Sequence, residues 1–256
     1  MIGRRDILRW RGTRRSPVWL LVVALVAAAC THATPAPAPT TATRSATAAT
    51  VAPPTAAAFE PEIAAFEAAD RLDPPPPGGI LFLGSSSIRF WSSLAADFPG
   101  LPVFNRGFGG STLPDVNYFA PRIVLPYRPR EIVLYAGDND IAAGRTPEQV
   151  LADYSTFVHA VRSALPATRI VFLSIKPSPS RWELANQMRA ANALVSRAIA
   201  GDSLATYVDV FTPMLGANGH PRPELFRDDS LHMTAAGYAL WRELVGRAIG
   251  ERTPAP

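Results

Sequence analysis

Apolar residues follow two spacings along the chain, and the two kinds of segment alternate from residue 59 onward. Short continuous apolar runs predict buried strands, and apolar residues that recur at helical spacing predict the helices that cover them. The predicted strands are 80–83, 101–104, 131–135, 169–175 and 206–210. The predicted helices are 87–97, 114–125, 147–164, 182–200 and 234–249. A further short helix, lined by Phe59, Ile63, Phe66 and Leu72, is predicted to end before the prolines at 74–77.

This alternation predicts an α/β fold with a five-stranded parallel sheet between two layers of helices, a three-layer α/β/α sandwich. Ligands of such sheets bind outside the carboxyl ends of the strands. Candidate chemistry is therefore sought in the segments that follow the predicted strands.

The first thirty residues have the pattern of an export signal. An Arg-rich start is followed by the run VWLLVVALVAAA at 18–29, which at twelve residues is too short to span a bilayer as a helix. The chain's single cysteine, Cys30, directly follows Ala27–Ala29, as in the lipobox of bacterial lipoproteins. We expect Cys30 to be lipidated, giving a membrane-anchored envelope protein. Two alternatives stay open: plain cleavage with an incidental cysteine, and twin-Arg export through Arg4-Arg5.

Residues 31–58 contain 11 Ala, 8 Thr and 5 Pro, a composition that predicts a disordered linker before a domain at 59–252. The distribution of charged residues supports this boundary between linker and domain. The chain has 25 basic and 21 acidic side chains, but residues 1–58 hold seven Arg and one Asp. The domain therefore carries 18 basic and 20 acidic side chains, which argues against nucleic acid as a partner.

Polar and glycine-rich segments follow four of the five predicted strands. They are GSSSI at 84–88, NRGFGGS at 105–111, AGDND at 136–140 and DDSLH at 228–232. Each alone is compatible with a turn or a helix cap. Together they supply a hydroxyl, backbone donors, an amide, a carboxylate and an imidazole, which are the groups of a serine acyl-transfer site.

The blocks FLGSSS, NRGFGGS, YAGDND and DSLH resemble those of the SGNH, or GDSL-like, esterase and lipase superfamily. The resemblance spans nearly the whole predicted domain and implies a flavodoxin-like strand order. It implies Ser86 as nucleophile, with Asp229 and His232 completing a triad. The implied oxyanion hole consists of the backbone N–H groups of Ser86 and Gly110 and the side-chain amide of Asn139. The family's Asp before the nucleophile is Ser85 here, and the Asp that often follows its Gly-Gly is Ser111.

These roles agree with elementary chemistry. A serine hydroxyl needs a base to take its proton, and imidazole is a base near neutral pH. A carboxylate beside the imidazole fixes its tautomer, and N–H donors stabilise the negative charge of the tetrahedral intermediate. Chemistry alone does not distinguish Ser86 from Ser85 and Ser87.

Other candidates carry alternative interpretations. His220 is a rival base that lacks an aspartate three residues earlier, and His159 is predicted to be a surface histidine. Asp138, Asp140 and Asp228 could suggest a metal site, but aspartates at turns and caps are commoner, and we expect neither metal nor cofactor. The proline-rich loop at 176–182 either lines a substrate pocket or packs Trp182 onto the core.

The sequence thus predicts an exported serine ester hydrolase that cleaves carboxylic esters through an acyl-enzyme on Ser86. Its partners would be a small-molecule, glycan or lipid ester and, through Cys30, a membrane. Short-chain or O-acetyl esters suit an enzyme that faces the cell envelope. Two alternatives stay open: an acyltransferase on the same fold, and a non-catalytic envelope lipoprotein that binds without reaction. The sequence leaves the oligomeric state open.

Overall fold

The computed structural model describes Pro53 and residues 55–250. Five strands form one parallel sheet in the order β2-β1-β3-β4-β5. The strands are β1 Ile80–Gly84, β2 Val103–Gly107, β3 Glu131–Tyr135, β4 Arg169–Leu173 and β5 Ala205–Val208. The predicted parallel sheet and its flavodoxin-like strand order are therefore confirmed.

Eight α-helices lie among the described residues, and several short 3₁₀ turns accompany them. The helices are α1 Ala56–Asp70, α2 Ser86–Arg89, α3 Leu94–Asp97, α4 Leu113–Ile123, α5 Asp138–Ala142, α6 Pro147–Ala164, α7 Ala185–Ile199 and α8 Ala235–Gly250. None of these helices is both long enough and apolar enough to cross a membrane.

The sheet separates two apolar cores because successive side chains of a strand point to opposite faces. Leu81 and Leu83 of β1 pack with α1, α4, α6 and α7 on one face. Ile80 and Phe82 pack with α2, α3 and α8 on the other. All four side chains are fully buried, which explains why β1 has an unbroken apolar sequence.

The start of the folded region differs from the prediction. Helix α1 begins at Ala56, three residues inside the segment predicted as linker. It ends at Asp70, so Leu72, which was predicted to line it, lies beyond the helix and is 90% exposed. Ala56 and Ile63 are buried in the core that α1 shares with α4, which accounts for the earlier start. The predicted export signal, Cys30 and the linker up to residue 52 lie outside the described residues.

The predicted helix 87–97 is wrong in its middle, where α2 and α3 are separate turns. The Asp97 carboxylate accepts hydrogen bonds from Trp91 Nε1 at 2.7 Å and from Ser93 Oγ at 2.6 Å. These bonds hold the Trp91 ring in the core, where it is 1% exposed, and interrupt the helix.

Strand β2 begins two residues later than predicted and continues into the polar segment at 105–107. Pro102 has no N–H to give to the ladder, so regular pairing with β1 starts at Val103. The polar residues therefore belong to the strand itself, and only Phe108 onward forms the loop.

The strand register fixes where the loops leave the sheet. Gly84 of β1 lies level with Gly107 of β2 and with Tyr135 of β3. The loops after these strands consequently start side by side. In this strand order the direction of winding reverses between β1 and β3, and a crevice opens there.

Candidate active site

Strand β1 leaves the sheet at Gly84 in a conformation that only glycine fits. Its φ is +139°, and a Cβ built there would lie 1.8 Å from the carbonyl oxygen of Tyr135 on β3. The Gly84 carbonyl accepts the N–H of Phe108 at 2.9 Å, and the N–H of Ser85 donates to Tyr135 at 3.1 Å. This turn brings Ser86 to the crevice between β1 and β3.

Three side chains meet at this crevice in a continuous hydrogen-bonded chain. His232 Nε2 lies 3.1 Å from Ser86 Oγ, and His232 Nδ1 lies 2.7 Å from Asp229 Oδ2. Asp229 Oδ1 accepts the backbone N–H groups of Leu231 and His232, both at 2.9 Å. Hydrogen bonds from the His232 ring and from these N–H groups lower the pKa of Asp229, so the carboxylate is ionised near neutral pH.

The imidazole ring is also held from the sides. The Phe90 ring meets the His232 ring edge to face, with 4.9 Å between centroids. The N–H of Arg227 donates to the His232 carbonyl at 2.7 Å and closes the loop that carries it. The Tyr238 hydroxyl of α8 donates to the Ser87 carbonyl at 3.0 Å, tying the last helix to the serine turn.

The structure separates the three neighbouring serines. Ser85 and Ser87 are buried, at 0% and 1% exposure, and within the described residues neither hydroxyl has a hydrogen-bond partner. Ser86 is partly exposed and is the serine that contacts His232. The geometry thus distinguishes among hydroxyls that sequence chemistry alone left equivalent.

The predicted oxyanion donors lie at the starts of α2 and α5 and in the loop after β2. Gly110 is exposed and has a φ of +84°. Ser111 follows Gly110, and its carbonyl accepts a hydrogen bond from Asn139 Nδ2 at 3.0 Å. Over residues 55–250, the backbone N–H groups of Ser86 and Gly110 make no hydrogen bond. They are therefore available, with the second N–H of the Asn139 amide, to a group entering the crevice.

The aspartates of the AGDND block have structural partners. Asp138 lies 3.1 Å from Lys176 Nζ and 3.3 Å from Arg181 Nη1. Asp140 accepts the N–H of Leu113 with both oxygens, at 3.0 and 3.2 Å, and burial raises its pKa to about 7. In the part of the chain that the structure describes, no three His, Cys, Asp or Glu side chains form a group suited to a metal ion.

Among the described residues, the two other histidines lie outside the hydrogen-bonded chain. His159 is exposed on α6, as predicted. The exposed His220 packs against Trp182, with the rings tilted and 5.1 Å between their centroids. The loop with Trp182 borders a cavity of about 260 Å³, whose other lining residues include His220, Phe226 and Ser230. Trp182 packs on the core, as one of the two alternatives for the loop predicted, and it also lines this cavity. A substrate pocket at this loop stays a prediction.

Sequence reasoning missed Arg181, whose Nη2 donates to Asn139 Oδ1 at 3.0 Å. The only sequence signal was the position of its proline-rich loop after β4, at the same edge of the sheet. Nothing in the residue pattern indicates that this arginine, among many, turns towards the AGDND block.

Comparison with solved structures finds the same fold in several other proteins. A GDSL-like lipase from Bacteroides thetaiotaomicron matches with a TM-score of 0.62 at 20% identity, over 74% of this chain and 97% of that chain. A mutant of an acetyl-xylooligosaccharide esterase from Geobacillus Stearmophilus matches with a TM-score of 0.56 at 16% identity, over 71% of this chain and 99% of that chain. A Streptococcus pneumonia protein, provisionally described as a platelet activating factor, matches with a TM-score of 0.67 at 19% identity. The match covers 76% of this chain and 94% of that chain. At these identities the matches show the fold.

A search of curated proteins found no match to this chain. The family model described as GDSL-like Lipase/Acylhydrolase family matches residues 79–240, more than half of the chain. That span contains all four sequence blocks and every residue of the hydrogen-bonded chain. The strand order, the serine turn and this match lead to one conclusion: the chain belongs to the GDSL-like Lipase/Acylhydrolase family of the SGNH hydrolase superfamily.

Proposed function

We propose that this protein is a serine ester hydrolase that forms an acyl-enzyme on Ser86. One observation carries the proposal: Ser86, His232 and Asp229 are joined by contacts of 3.1 and 2.7 Å at the carboxyl edge of the sheet. An imidazole at that distance accepts the hydroxyl proton as the oxygen attacks. The carboxylate keeps Nδ1 protonated, which leaves Nε2 free to act as the base.

The reaction then proceeds in two halves. Ser86 Oγ attacks the ester carbonyl carbon, its proton passes to His232 Nε2, and the carbonyl oxygen becomes an oxyanion. The intermediate collapses, and the alcohol leaves with the proton from Nε2. Water, deprotonated by His232, then attacks the acyl-enzyme, and the carboxylic acid is released as Ser86 regains its proton.

Three donors stabilise the oxyanion in this proposal: the N–H groups of Ser86 and Gly110 and the amide of Asn139. Loss of one such donor costs about 10²- to 10³-fold in kcat, because the charge it stabilises exists only in the transition state. Both N–H groups are free of other hydrogen bonds within the described residues, which supports this role.

We further propose a preference for short acyl groups, O-acetyl esters included. One of the structural neighbours is a mutant of an acetyl-xylooligosaccharide esterase, and this likeness supports the preference. Cleavage of a p-nitrophenyl ester series from acetate to palmitate tests the preference. We expect kcat/KM to be highest for acetate and to fall with chain length. Activity on long chains alone would refute the preference and leave the hydrolase proposal intact.

We also propose that the protein is exported and anchored through a lipid on Cys30. The basic start, the twelve-residue apolar run and the small residues before the single cysteine support this. Replacing Cys30 by serine is expected to move the protein from the membrane fraction to the soluble fraction. The control is Thr31→Ser, which keeps the cysteine. Equal membrane fractionation of Cys30→Ser and the unaltered protein would show that the lipid is not the anchor.

A further inference from the structure

A buried group of charged side chains lies directly behind Asn139. The Lys176 side chain is 1% exposed and that of Asp138 is 4% exposed, and Lys176 Nζ lies 3.1 Å from Asp138 Oδ2. Lys176 Nζ also lies 3.3 Å from the hydroxyl of Tyr135, which is itself fully buried. Lysine and aspartate are rarely buried to this extent without a partner, and here each partners the other.

Arg181 connects this buried pair to Asn139. Its Nη1 lies 3.3 Å from Asp138 Oδ2, while its Nη2 donates to Asn139 Oδ1 at 3.0 Å. Burial alone would raise the pKa of Asp138, but the positive charges of Lys176 and Arg181 outweigh it and lower that pKa. Asp138 is therefore an anion that can hold the guanidinium in place.

These contacts fix which way round the Asn139 amide lies. A guanidinium can only donate hydrogen bonds, and a backbone carbonyl can only accept them. The amide oxygen must therefore face Arg181, and the amide nitrogen must face the Ser111 carbonyl, 3.0 Å away. A flipped amide would bring nitrogen against guanidinium and oxygen against carbonyl, losing both bonds. The amide nitrogen is thus kept on the side of Gly110 and Ser111.

Arg181 is also linked to the loop that carries the histidine. It lies in the 3₁₀ turn Pro179–Leu184, and the N–H of the preceding Ser180 donates to the Ser230 carbonyl at 3.1 Å. Ser230 stands between Asp229 and His232 in the chain. The same short segment therefore contacts both the amide and the loop of the hydrogen-bonded chain.

We propose that Arg181, anchored by the buried Lys176–Asp138 pair, is a positioning residue that orients the Asn139 amide for oxyanion binding. This inference rests on the proposed ester hydrolysis. Arg181 acts through Asn139 and takes no part in proton transfer. Its removal lets the amide rotate, so the donor is lost for part of the time while substrate binding is unaffected.

The test is a double-mutant cycle of Arg181→Ala and Asn139→Ala, measured as kcat and KM for p-nitrophenyl acetate. We expect Arg181→Ala to lower kcat about 10- to 100-fold with little change in KM, because the interaction strengthens only in the transition state. In the Asn139→Ala background, Arg181→Ala should change kcat by less than about twofold, since the two residues act as a unit.

Arg189→Ala is the matched control. Arg189 lies over the Trp182 ring, with 5.2 Å from guanidinium carbon to ring centroid, so it supports the same segment without reaching Asn139. It should leave kcat nearly unchanged. Arg181→Lys, which keeps the charge and the ion pair with Asp138, guards against a folding defect in Arg181→Ala and should recover part of the lost kcat.

The outcomes separate the two proposals. If the unaltered protein is active but the effects of Arg181→Ala and Asn139→Ala multiply, the positioning role is wrong and the hydrolase proposal stands. An equal loss of kcat in Arg189→Ala would also overturn the positioning role. The loss in Arg181→Ala would then be explained by a less ordered turn Pro179–Leu184 and not by the contact with Asn139. If the unaltered protein cleaves no ester, the hydrolase proposal fails and the positioning role falls with it.

Discussion

Replacing Ser86 by alanine is expected to lower kcat for p-nitrophenyl acetate by about 10⁵- to 10⁶-fold. The variant keeps the oxyanion donors and the imidazole but has no oxygen that can form the acyl-enzyme. Labelling by a fluorophosphonate probe, which reacts only with an activated serine, should disappear in parallel. Because Ser86 is partly exposed at the end of β1, the substitution should leave the thermal unfolding temperature almost unchanged.

Ser85→Ala and Ser87→Ala are the matched controls. Both hydroxyls are buried and have no partner in the described part of the chain, so their removal leaves no hydrogen bond unmade. We expect both variants to keep the label and most of the activity. A probe that labels Ser86→Ala as strongly as the unaltered protein, or that is lost in Ser85→Ala instead, would contradict the assignment of the nucleophile.

The sequence was sufficient to predict the sheet because both faces of the sheet are covered. Strand β3 runs from Glu131 to Tyr135, as its apolar run indicated, and α6 runs from Pro147 to Ala164, as its helical spacing indicated. Errors occurred where a single tertiary contact overrides a local pattern. The Trp91 ring is buried in one core, and this burial interrupts the helix predicted over 87–97. Helix α1 includes Ala56 because the Ala56 side chain is buried in the other core.

The residues of the candidate site likewise fall into those that the sequence could predict and those that depend on tertiary contacts. Ser86, Asn139 and His232 could be proposed from the sequence because each follows a strand and the blocks resemble a known family. Arg181 could not, since its contact with Asn139 depends on a loop geometry that no local pattern encodes. The burial of Lys176 could not be predicted from the sequence either, because a lysine in a polar loop is expected to be exposed to solvent.

Replacing His232 by alanine is expected to lower kcat about 10⁵-fold, almost as far as loss of the nucleophile, because the two residues act as a unit. The exposed His220 provides the control. It packs against Trp182, and His220→Ala should retain activity to within about twofold. A large loss in His220→Ala with an active His232→Ala would reverse the assignment of the base.

The pH–rate profile adds a second test of the same residue. Protonated imidazole cannot accept the Ser86 proton, so activity should be lost at acidic pH. Asp229 does not contribute to this fall, because its hydrogen bonds to His232 and to two backbone N–H groups lower its pKa and keep it ionised there. The acid limb should therefore show the uptake of one proton.

Asp229→Asn should then test the contribution of the carboxylate to the charge and tautomer of His232 while the loop keeps its geometry. An asparagine side chain can still accept the backbone N–H groups of Leu231 and His232, which Asp229 Oδ1 accepts at 2.9 Å, so the loop should keep its shape. The amide nitrogen then faces His232 Nδ1 and can only donate to it, so the imidazole takes the tautomer with Nε2 protonated, which cannot accept the Ser86 proton. The charge that stabilises the imidazolium is lost as well, so kcat should fall about 10²- to 10⁴-fold. An activity of Asp229→Asn equal to that of the unaltered protein would contradict a catalytic role of the Asp229 carboxylate.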